Sequence, residues 1–280
     1  MSAVPITAQT RLFALLGNPV AHSLSPVFHN AAFRHAGCDA LYVALRCDAD
    51  SAPALLRGIA HGGGGGNVTV PHKASAAACI DRATELVRRT GACNTFWSET
   101  GVVCGDNTDV AGFRYALAAL TADVAGAATL IIGAGGAAAA AVCALLDDGA
   151  ARVTLHNRSP ERAHALAARA DPARRVVDVV ASVHALAHER YDIVVNASAL
   201  GLRDTDPLPI DLQIVQPPRA VLDLVYLPRG TTPFIRLAQQ LGIPAADGVE
   251  MLLGQGAAAF ERWFDMPAPV DVMRRALAAR

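Results

Sequence analysis

Short apolar runs recur along the chain between stretches whose apolar positions fall at helical spacing. In the first part they are Leu12–Leu16, Leu41–Leu45, Val68–Val70, Ala92–Trp97 and Val102–Cys104. Each is short and apolar, alternating with helical stretches, so each predicts a strand. Ser25-Pro26 is an N-cap and N1 pair that opens a helix running to about Ala36. Gly91–Gly105 predicts a hairpin that turns near Ser98–Gly101, and Asn107-Thr108-Asp109 supplies capping residue types for the next helix. Further on, the runs Thr129–Ile132, Val153–His156, Val176–Val180, Ile193–Val195 and Ala220–Val225 alternate with helical patterns, the signature of parallel strands joined by crossovers. Pro207–Pro218 predicts a loop, and Gly248–Phe264 a long closing helix capped from Asp247 and followed by Pro267 and Pro269. No 20–50-residue repeat is present.

Composition narrows the class. A chain of 280 residues is long enough for about two domains. Its 24 basic and 25 acidic side chains leave a net charge of −1, so no net field draws it to nucleic acid or to an acidic membrane. With 52% hydrophobic and 18% charged residues it is expected to fold as a globule rather than stay disordered. The six cysteines form no Cys-x-x-Cys pair with accompanying His spacing, so neither a zinc site nor a disulfide framework is legible, and a reducing cytoplasm is expected. Leu12–Leu16 is too short for a signal segment. Val124–Leu146 imitates a membrane span because it carries no charge, but Gly133-Ala134-Gly135-Gly136 interrupts it, and the pattern predicts a buried strand followed by an alanine-faced helix.

That interruption is also the first chemical signal. Gly133-x-Gly135-x-x-Ala138 after an apolar strand and before a helix is the context of a dinucleotide-binding turn, in which the backbone approaches a pyrophosphate at a helix N-terminus. The alternative is a Gly-rich turn that binds nothing. Where an NAD site would carry an acid at the end of the next strand, the sequence reads His156-Asn157-Arg158-Ser159, and Arg158 suits a 2′-phosphate, so NADP is expected over NAD. Asn157 and Ser159 read equally as turn and cap residues.

Lys73 is the only lysine; the other 23 of the 24 basic side chains are arginine. Arginine cannot release a proton and lysine can, which points to proton transfer, against the alternative of a single solvated lysine. Asp109 is its expected acidic neighbour across a cleft, or else an N-cap carboxylate. Ser23, Ser25, Thr69 and Asn94, in or beside loops, suit the hydroxyls of a polyol or sugar-like acid, or act as caps and turns. Gly62–Gly66 reads as a flexible lead into a strand running through Val70, not as a phosphate loop. His22, His29 and His72 read as local hydrogen-bonders, and no metal is expected.

Taken in order, Gly17-Asn18-Pro19-Val20-Ala21-His22-Ser23-Leu24-Ser25-Pro26, Asn67-Val68-Thr69-Val70-Pro71-His72-Lys73, Gly91-Ala92-Cys93-Asn94-Thr95 and Gly105-Asp106-Asn107-Thr108-Asp109 resemble the shikimate dehydrogenase family. Gly133–Ala138, Asn157-Arg158-Ser159, Asp223-Leu224-Val225-Tyr226 with Thr232-Pro233-Phe234, and Gln255-Gly256-Ala257 continue the resemblance over nearly the whole chain. It implies a two-domain α/β fold: an N-terminal substrate domain (1–108, with helices from 248–280 packing back onto it) and a Rossmann-type, doubly wound parallel-sheet NADP domain (109–247), with the site in the cleft between. It implies Lys73 and Asp109 as the catalytic pair. Ser23, Ser25, Thr69, Asn94 and Gln255 would hold the carboxylate and hydroxyls of a shikimate-like cyclic hydroxy acid, with Tyr226 near it. Gly133, Ala134, Gly135, Gly136, Ala137, Asn157, Arg158, Ser159, Asn196, Ala197 and Gly248 would line the NADP site. The implied activity is reversible reduction of 3-dehydroshikimate on the way to chorismate, by a cytoplasmic monomer or homodimer. The alternatives are a relative acting on quinate or an amino-shikimate, one linked to NAD, or an NADP-binding regulator without activity. Departures from the family pattern are Asn196-Ala197-Ser198-Ala199-Leu200-Gly201 for Asn-Ala-Thr-Ser-x-Gly, Val110 where glycine is common, Val249-Glu250 before Met251, and the polyglycine run.

Overall fold

The computed structural model describes residues 6–120, 123–203, 205–227 and 230–279, so residues 1–5 and 280, at the ends of the expected first domain, lie outside it. Two compact units divide the chain, one of residues 1–108 with 255–280 and the other of residues 109–254. The division falls inside the closing helix, so residues 248–254 belong to the second unit and not, as the sequence suggests, to the first.

The first unit contains β1 (Arg11–Gly17), α1 (Ser25–Ala36), β2 (Ala40–Arg46), α2 (Ala52–His61), β3 (Gly65–Val68), α3 (Lys73–Cys79), β4 (Arg82–Ala83), α4 (Glu85–Thr90), β5 (Thr95–Glu99) and β6 (Val102–Asp106). They form a mixed sheet of order β2-β1-β3-β5-β6-β4, parallel from β2 to β3 and antiparallel at β3-β5-β6. The β5-β6 hairpin turns through Thr100 and Gly101, both at positive φ, where the sequence places it. Ser25 opens α1 but does not cap it: Leu24 holds the N-cap position, and the Ser25 N–H donates to Ser23 Oγ at 3.2 Å.

The polyglycine run is not a flexible lead. Gly65 and Gly66 are strand residues paired with Phe13 and Ala14 of β1 and with Trp97 and Phe96 of β5. A Cβ on Gly66 would stand 2.0 Å from the Ala14 carbonyl oxygen and 2.9 Å from the Phe96 ring. Glycine is required there because the neighbouring chain comes too close for a side chain. The strand correspondingly ends at Val68, leaving Thr69 and Val70 outside it.

The second unit begins with α5 (Asp109–Ala119) and continues through β7 (Ala128–Ile132), α6 (Gly136–Asp147), β8 (Arg152–His156), α7 (Pro160–Ala170), β9 (Val177–Val180), β10 (Ile193–Asn196), β11 (Ala220–Asp223), α8 (Pro233–Gln240) and β12 (Ala245–Ala246). Its six strands are all parallel in the order β9-β8-β7-β10-β11-β12, which counts 3-2-1-4-5-6 within the unit, the order of a Rossmann-type sheet. The membrane-like stretch resolves into β7 and α6 as expected, and among the described residues no helix is long and apolar enough to cross a membrane. Val110, the departure from glycine, is fully buried in α5.

The closing helix α9 (Val249–Phe264) is held at its start by Asp247, whose carboxylate accepts the Val249 N–H at 3.0 Å. In the first unit its later turns and α10 (Val270–Ala278) complete the core. Phe260, Trp263 and Phe264 pack around Phe13 and Phe33, Trp263 donates to the Phe96 carbonyl at 3.2 Å, and Arg262 pairs with buried Asp106 at 2.8 Å. Each such buried aromatic contributes roughly 1.5–3 kcal/mol.

His29 departs from its expected role. It is fully buried beside Phe28 and Trp263 and stacked on Tyr42 at 4.5 Å, and neither ring nitrogen has a hydrogen-bond partner. Burial lowers its pKa from 6.5 to about 3. Between those values the unfolded chain binds a proton that the folded chain refuses, so stability present above pH 6.5 is lost as pH falls, by about 1.4 kcal/mol per unit. In urea unfolding at pH 7.5 and pH 5, His29→Leu should shrink the loss on acidification by about 2 kcal/mol. Equal losses in both proteins would show that His29 does not carry this dependence. His72, in contrast, does bond locally, through Nε2 and the Cys47 carbonyl oxygen at 3.0 Å.

Candidate active site

The strand directions of the first unit bring one set of loops to one edge of its sheet. Parallel β1 and β3 end there, while antiparallel β5 starts and β6 finishes there, Asn67 opposite Thr95 and Thr95 opposite Asp106. Ser23 and Ser25 follow β1, Thr69 follows β3, and Asn94 precedes β5.

Backbone hydrogen bonds stitch these segments together. The Thr69 N–H donates to the Leu16 carbonyl at 2.8 Å, Val68 N–H to Asn94 O at 2.8 Å, His72 N–H to Thr69 O at 2.9 Å, and Cys93 N–H to Lys73 O at 2.9 Å. Thr69, Lys73 and Asn94 therefore come off adjoining segments. Lys73 is the half-buried first residue of α3, and Ser25 and Asn94 are buried. Gln255 is buried on α9 beside Gly256, where any Cβ would stand 2.4 Å from the Phe28 ring of α1. The turn before Asp109 is fixed within the first unit: Thr108 N–H donates to Asn94 Oδ1 at 2.7 Å, and Asn107 Nδ2 to the Ala92 carbonyl at 2.9 Å. Asp109 itself is buried as the first residue of both α5 and the second unit.

In the second unit the residues from the Gly-rich turn gather at the carboxyl ends of the parallel strands. Gly133 has φ +121°, and a Cβ on it would lie 2.6 Å from the Ala197 carbonyl oxygen, so glycine is required. Ala134 follows it, and Gly135 is the N-cap of α6, whose first residues are Gly136 and Ala137. Nothing lies within 4 Å of a Cβ built on Gly135, so the approach to the α6 N-terminus is open. Gly248 N–H donates to Val225 O at 3.1 Å, and its missing Cβ leaves room for the Leu224 carbonyl.

At the end of β8, His156 Nδ1 lies 3.0 Å from the Val180 carbonyl oxygen and Asn157 Nδ2 donates to Ser159 O at 2.9 Å. Ser159 occupies the N-cap position of α7 without its hydroxyl capping the helix. Arg158 is exposed and pairs with no carboxylate among the described residues. These residues fit a 2′-phosphorylated dinucleotide: a glycine-rich turn before an open helix N-terminus, then a guanidinium with no carboxylate partner among the described residues, where an acid would repel the phosphate.

Asn196 and its neighbours form a third cluster. Ser198 Oγ donates to Asn196 Oδ1 at 2.6 Å and accepts the Leu200 N–H at 3.1 Å, so the serine hydroxyl closes this turn. Asn196 Nδ2 donates to Asp223 Oδ1 at 2.8 Å, and Thr232 Oγ1 donates to Asp223 Oδ2 at 2.6 Å. Burial pushes the Asp223 carboxyl up to about 6 against the opposing pull of these bonds and of the Val225 N–H. Tyr226, half-buried, lies just beyond this node.

Three residues to which the sequence assigns no role are brought forward by the structure. Asp223 figures in the sequence only within a motif, although an acid ending an apolar strand is a usable signal. Arg162, exposed in the first turn of α7 four positions after Arg158, follows a helix-opening proline that marks it. Tyr42 offers no local signal at all. Among the described residues no three His, Cys, Asp or Glu side chains gather to hold a metal ion.

Comparison with known proteins shows the family. Residues 15–96 match the shikimate dehydrogenase substrate binding domain, 116–201 the shikimate / quinate 5-dehydrogenase model and 248–278 the shikimate 5'-dehydrogenase C-terminal domain. The shikimate dehydrogenase (NADP(+)) of Rubrobacter xylanophilus is 41% identical over 281 residues, 99% of each chain. The chain belongs to the shikimate dehydrogenase family. Among solved structures, the shikimate dehydrogenase of Aquifex aeolicus is 34% identical with a TM-score of 0.88, covering 98% of this chain and 99% of its own. The shikimate 5-dehydrogenase of Thermus thermophilus, in complex with NADP(H) and shikimate, is 33% identical with a TM-score of 0.86, covering 96% of this chain and 99% of its own.

Proposed function

We propose that this member of the family catalyses the reversible, NADP-dependent reduction of 3-dehydroshikimate to shikimate. The observation that carries the reading is the placement of the only lysine, Lys73, on backbone tied directly to the segments of Thr69 and Asn94.

Ser23, Ser25, Thr69, Asn94 and Gln255 hold the carboxylate and hydroxyls of the ring, with Tyr226 near it. NADP supplies the carbon centre that accepts or returns hydride. Its pyrophosphate is held by the turn Gly133, Ala134, Gly135, Gly136 and Ala137, and its 2′-phosphate by Asn157, Arg158 and Ser159, with Arg162 one turn along. Asn196, Ala197 and Gly248 complete the lining. In the oxidising direction Lys73 Nζ takes the hydroxyl proton as the C–H bond gives up its hydride; in the reducing direction it returns the proton to the carbonyl oxygen. Asp109 is its partner in that proton transfer.

Residues 1–108 with the returning helices make the substrate domain, and the parallel-sheet unit makes the NADP domain. None of the six cysteines is in a disulfide, which suits a cytoplasmic enzyme; it works as a monomer or homodimer.

The test is one assay of four combinations, shikimate or quinate with NADP or NAD, followed by reduced-nicotinamide absorbance. Shikimate with NADP should give the highest kcat/KM. Preference for quinate with NAD would establish the relative's activity instead, and binding of NADP without turnover of either acid would indicate a regulator.

A further inference from the structure

A continuous line of buried polar side chains crosses the first sheet beneath the proposed substrate loops. The Tyr42 hydroxyl donates to Asn67 Oδ1 at 2.7 Å. Asn67 Nδ2 donates to Thr95 Oγ1 at 2.9 Å and to the Asn94 carbonyl at 3.2 Å. Thr95 Oγ1 donates to Asn94 Oδ1 at 3.0 Å and lies 2.9 Å from Thr108 Oγ1. Ser25, Tyr42, Asn67, Asn94, Thr95 and Thr108 are all 4% exposed or less.

The donors dictate the direction of every amide in this line. Asn94 Oδ1 takes the Thr108 N–H, a donor that cannot reverse, together with the Thr95 hydroxyl, so the Asn94 amide sits one way round with its oxygen toward the protein. Asn67 is likewise fixed, because its oxygen faces the tyrosine proton and its nitrogen faces Thr95 and the Asn94 carbonyl. Such a network is worth most when every member is satisfied, since an unpaired polar group in a dry interior costs more than the bond itself contributes. The line reaches Asn94, a residue assigned above to the substrate.

We propose that Tyr42 is a positioning residue for the substrate: its hydroxyl, through Asn67 and Thr95, holds Asn94 in its one amide orientation. The inference rests on the reading of Asn94 as a substrate ligand. Tyr42 itself lies too deep to touch the ring.

The test compares Tyr42→Phe, Thr95→Val and Thr95→Ser with the wild-type enzyme. The measurements are the dissociation constant of shikimate by calorimetry, KM for shikimate and for NADP, kcat, and the unfolding midpoint. Tyr42→Phe keeps the ring stacked on His29 and deletes only the hydroxyl. It should weaken shikimate binding and raise its KM by about tenfold, the worth of one buried hydrogen bond, with kcat within about twofold and KM for NADP unchanged. Thr95→Val should do the same, Thr95→Ser should restore near-normal values, and the double variant Tyr42→Phe/Thr95→Val should be no worse than the poorer single variant, because both cut one line.

A shikimate affinity within twofold of wild type in Tyr42→Phe, additive losses in the double variant, or KM for NADP rising in step would overturn the inference. If Tyr42→Phe fails to fold, the contrast between Thr95→Val and Thr95→Ser decides it in the same terms. Failure of the wild-type enzyme to turn over shikimate would count against the functional reading, whereas calorimetry would still decide whether Tyr42 governs shikimate binding.

Discussion

Lys73→Ala should lower kcat for shikimate oxidation by about 10²–10⁴-fold, the usual contribution of one positioned acid–base group. The substitution removes the amine and leaves the backbone bond from Cys93 N–H to Lys73 O intact, so the loop that carries Asn94 keeps its tie. NADP affinity should be unchanged, because the residues assigned to it all lie in the second unit. Lys73→Arg separates proton transfer from charge. Arginine preserves the positive charge but cannot release a proton at working pH, so its turnover should fall nearly as far. Steady-state rates at several pH values, with circular dichroism to establish folding, check both variants. Near-normal turnover in folded Lys73→Ala would remove Lys73 from the chemistry, and restored turnover in Lys73→Arg would reduce its role to electrostatics.

Arg158→Ala should lower kcat/KM for NADP by about 10–100-fold, the range expected for a charge-assisted hydrogen bond of about 1.5–3 kcal/mol. Activity with NAD, which has no 2′-phosphate, should stay within about twofold, so the preference between the two cofactors collapses by nearly the whole factor. Stability should change by no more than about 0.5 kcal/mol, since the side chain is exposed and pairs with no carboxylate among the described residues. Initial rates with the two cofactors at saturating shikimate read the effect. Equal losses for NADP and NAD would mean that Arg158 supports the loop rather than the phosphate.

Much of this architecture is legible in local pattern. The α1 boundaries, the hairpin around Gly101, the strands on either side of the Gly133 turn and the absence of an acid at the end of β8 all depend on residues within a few positions of one another. The sequence is less informative where distant segments decide the outcome. The polyglycine run reads as slack because glycine is locally permissive, yet Gly66 is demanded by the Ala14 carbonyl and the Phe96 ring. Ser25 has the chemistry of a cap, but the chain enters α1 one residue earlier, at Leu24. His29 is polar by type, and only the rings closing over it from Phe28, Tyr42 and Trp263 make it an apolar-site residue.

By itself, then, the order of residues determined the alternation of strands and helices, the dinucleotide turn, the preference for a phosphorylated cofactor and the singularity of Lys73, because periodicity, glycine geometry and side-chain chemistry act over a few residues. Tertiary structure alone decided which loops share the edge where β1 and β3 end, which glycines are compelled by a neighbouring strand, and how Tyr42, Asn67 and Thr95 become one line. Those outcomes depend on hydrogen bonds and packing between residues tens of positions apart, and such pairings exist only once the sheet has set its register.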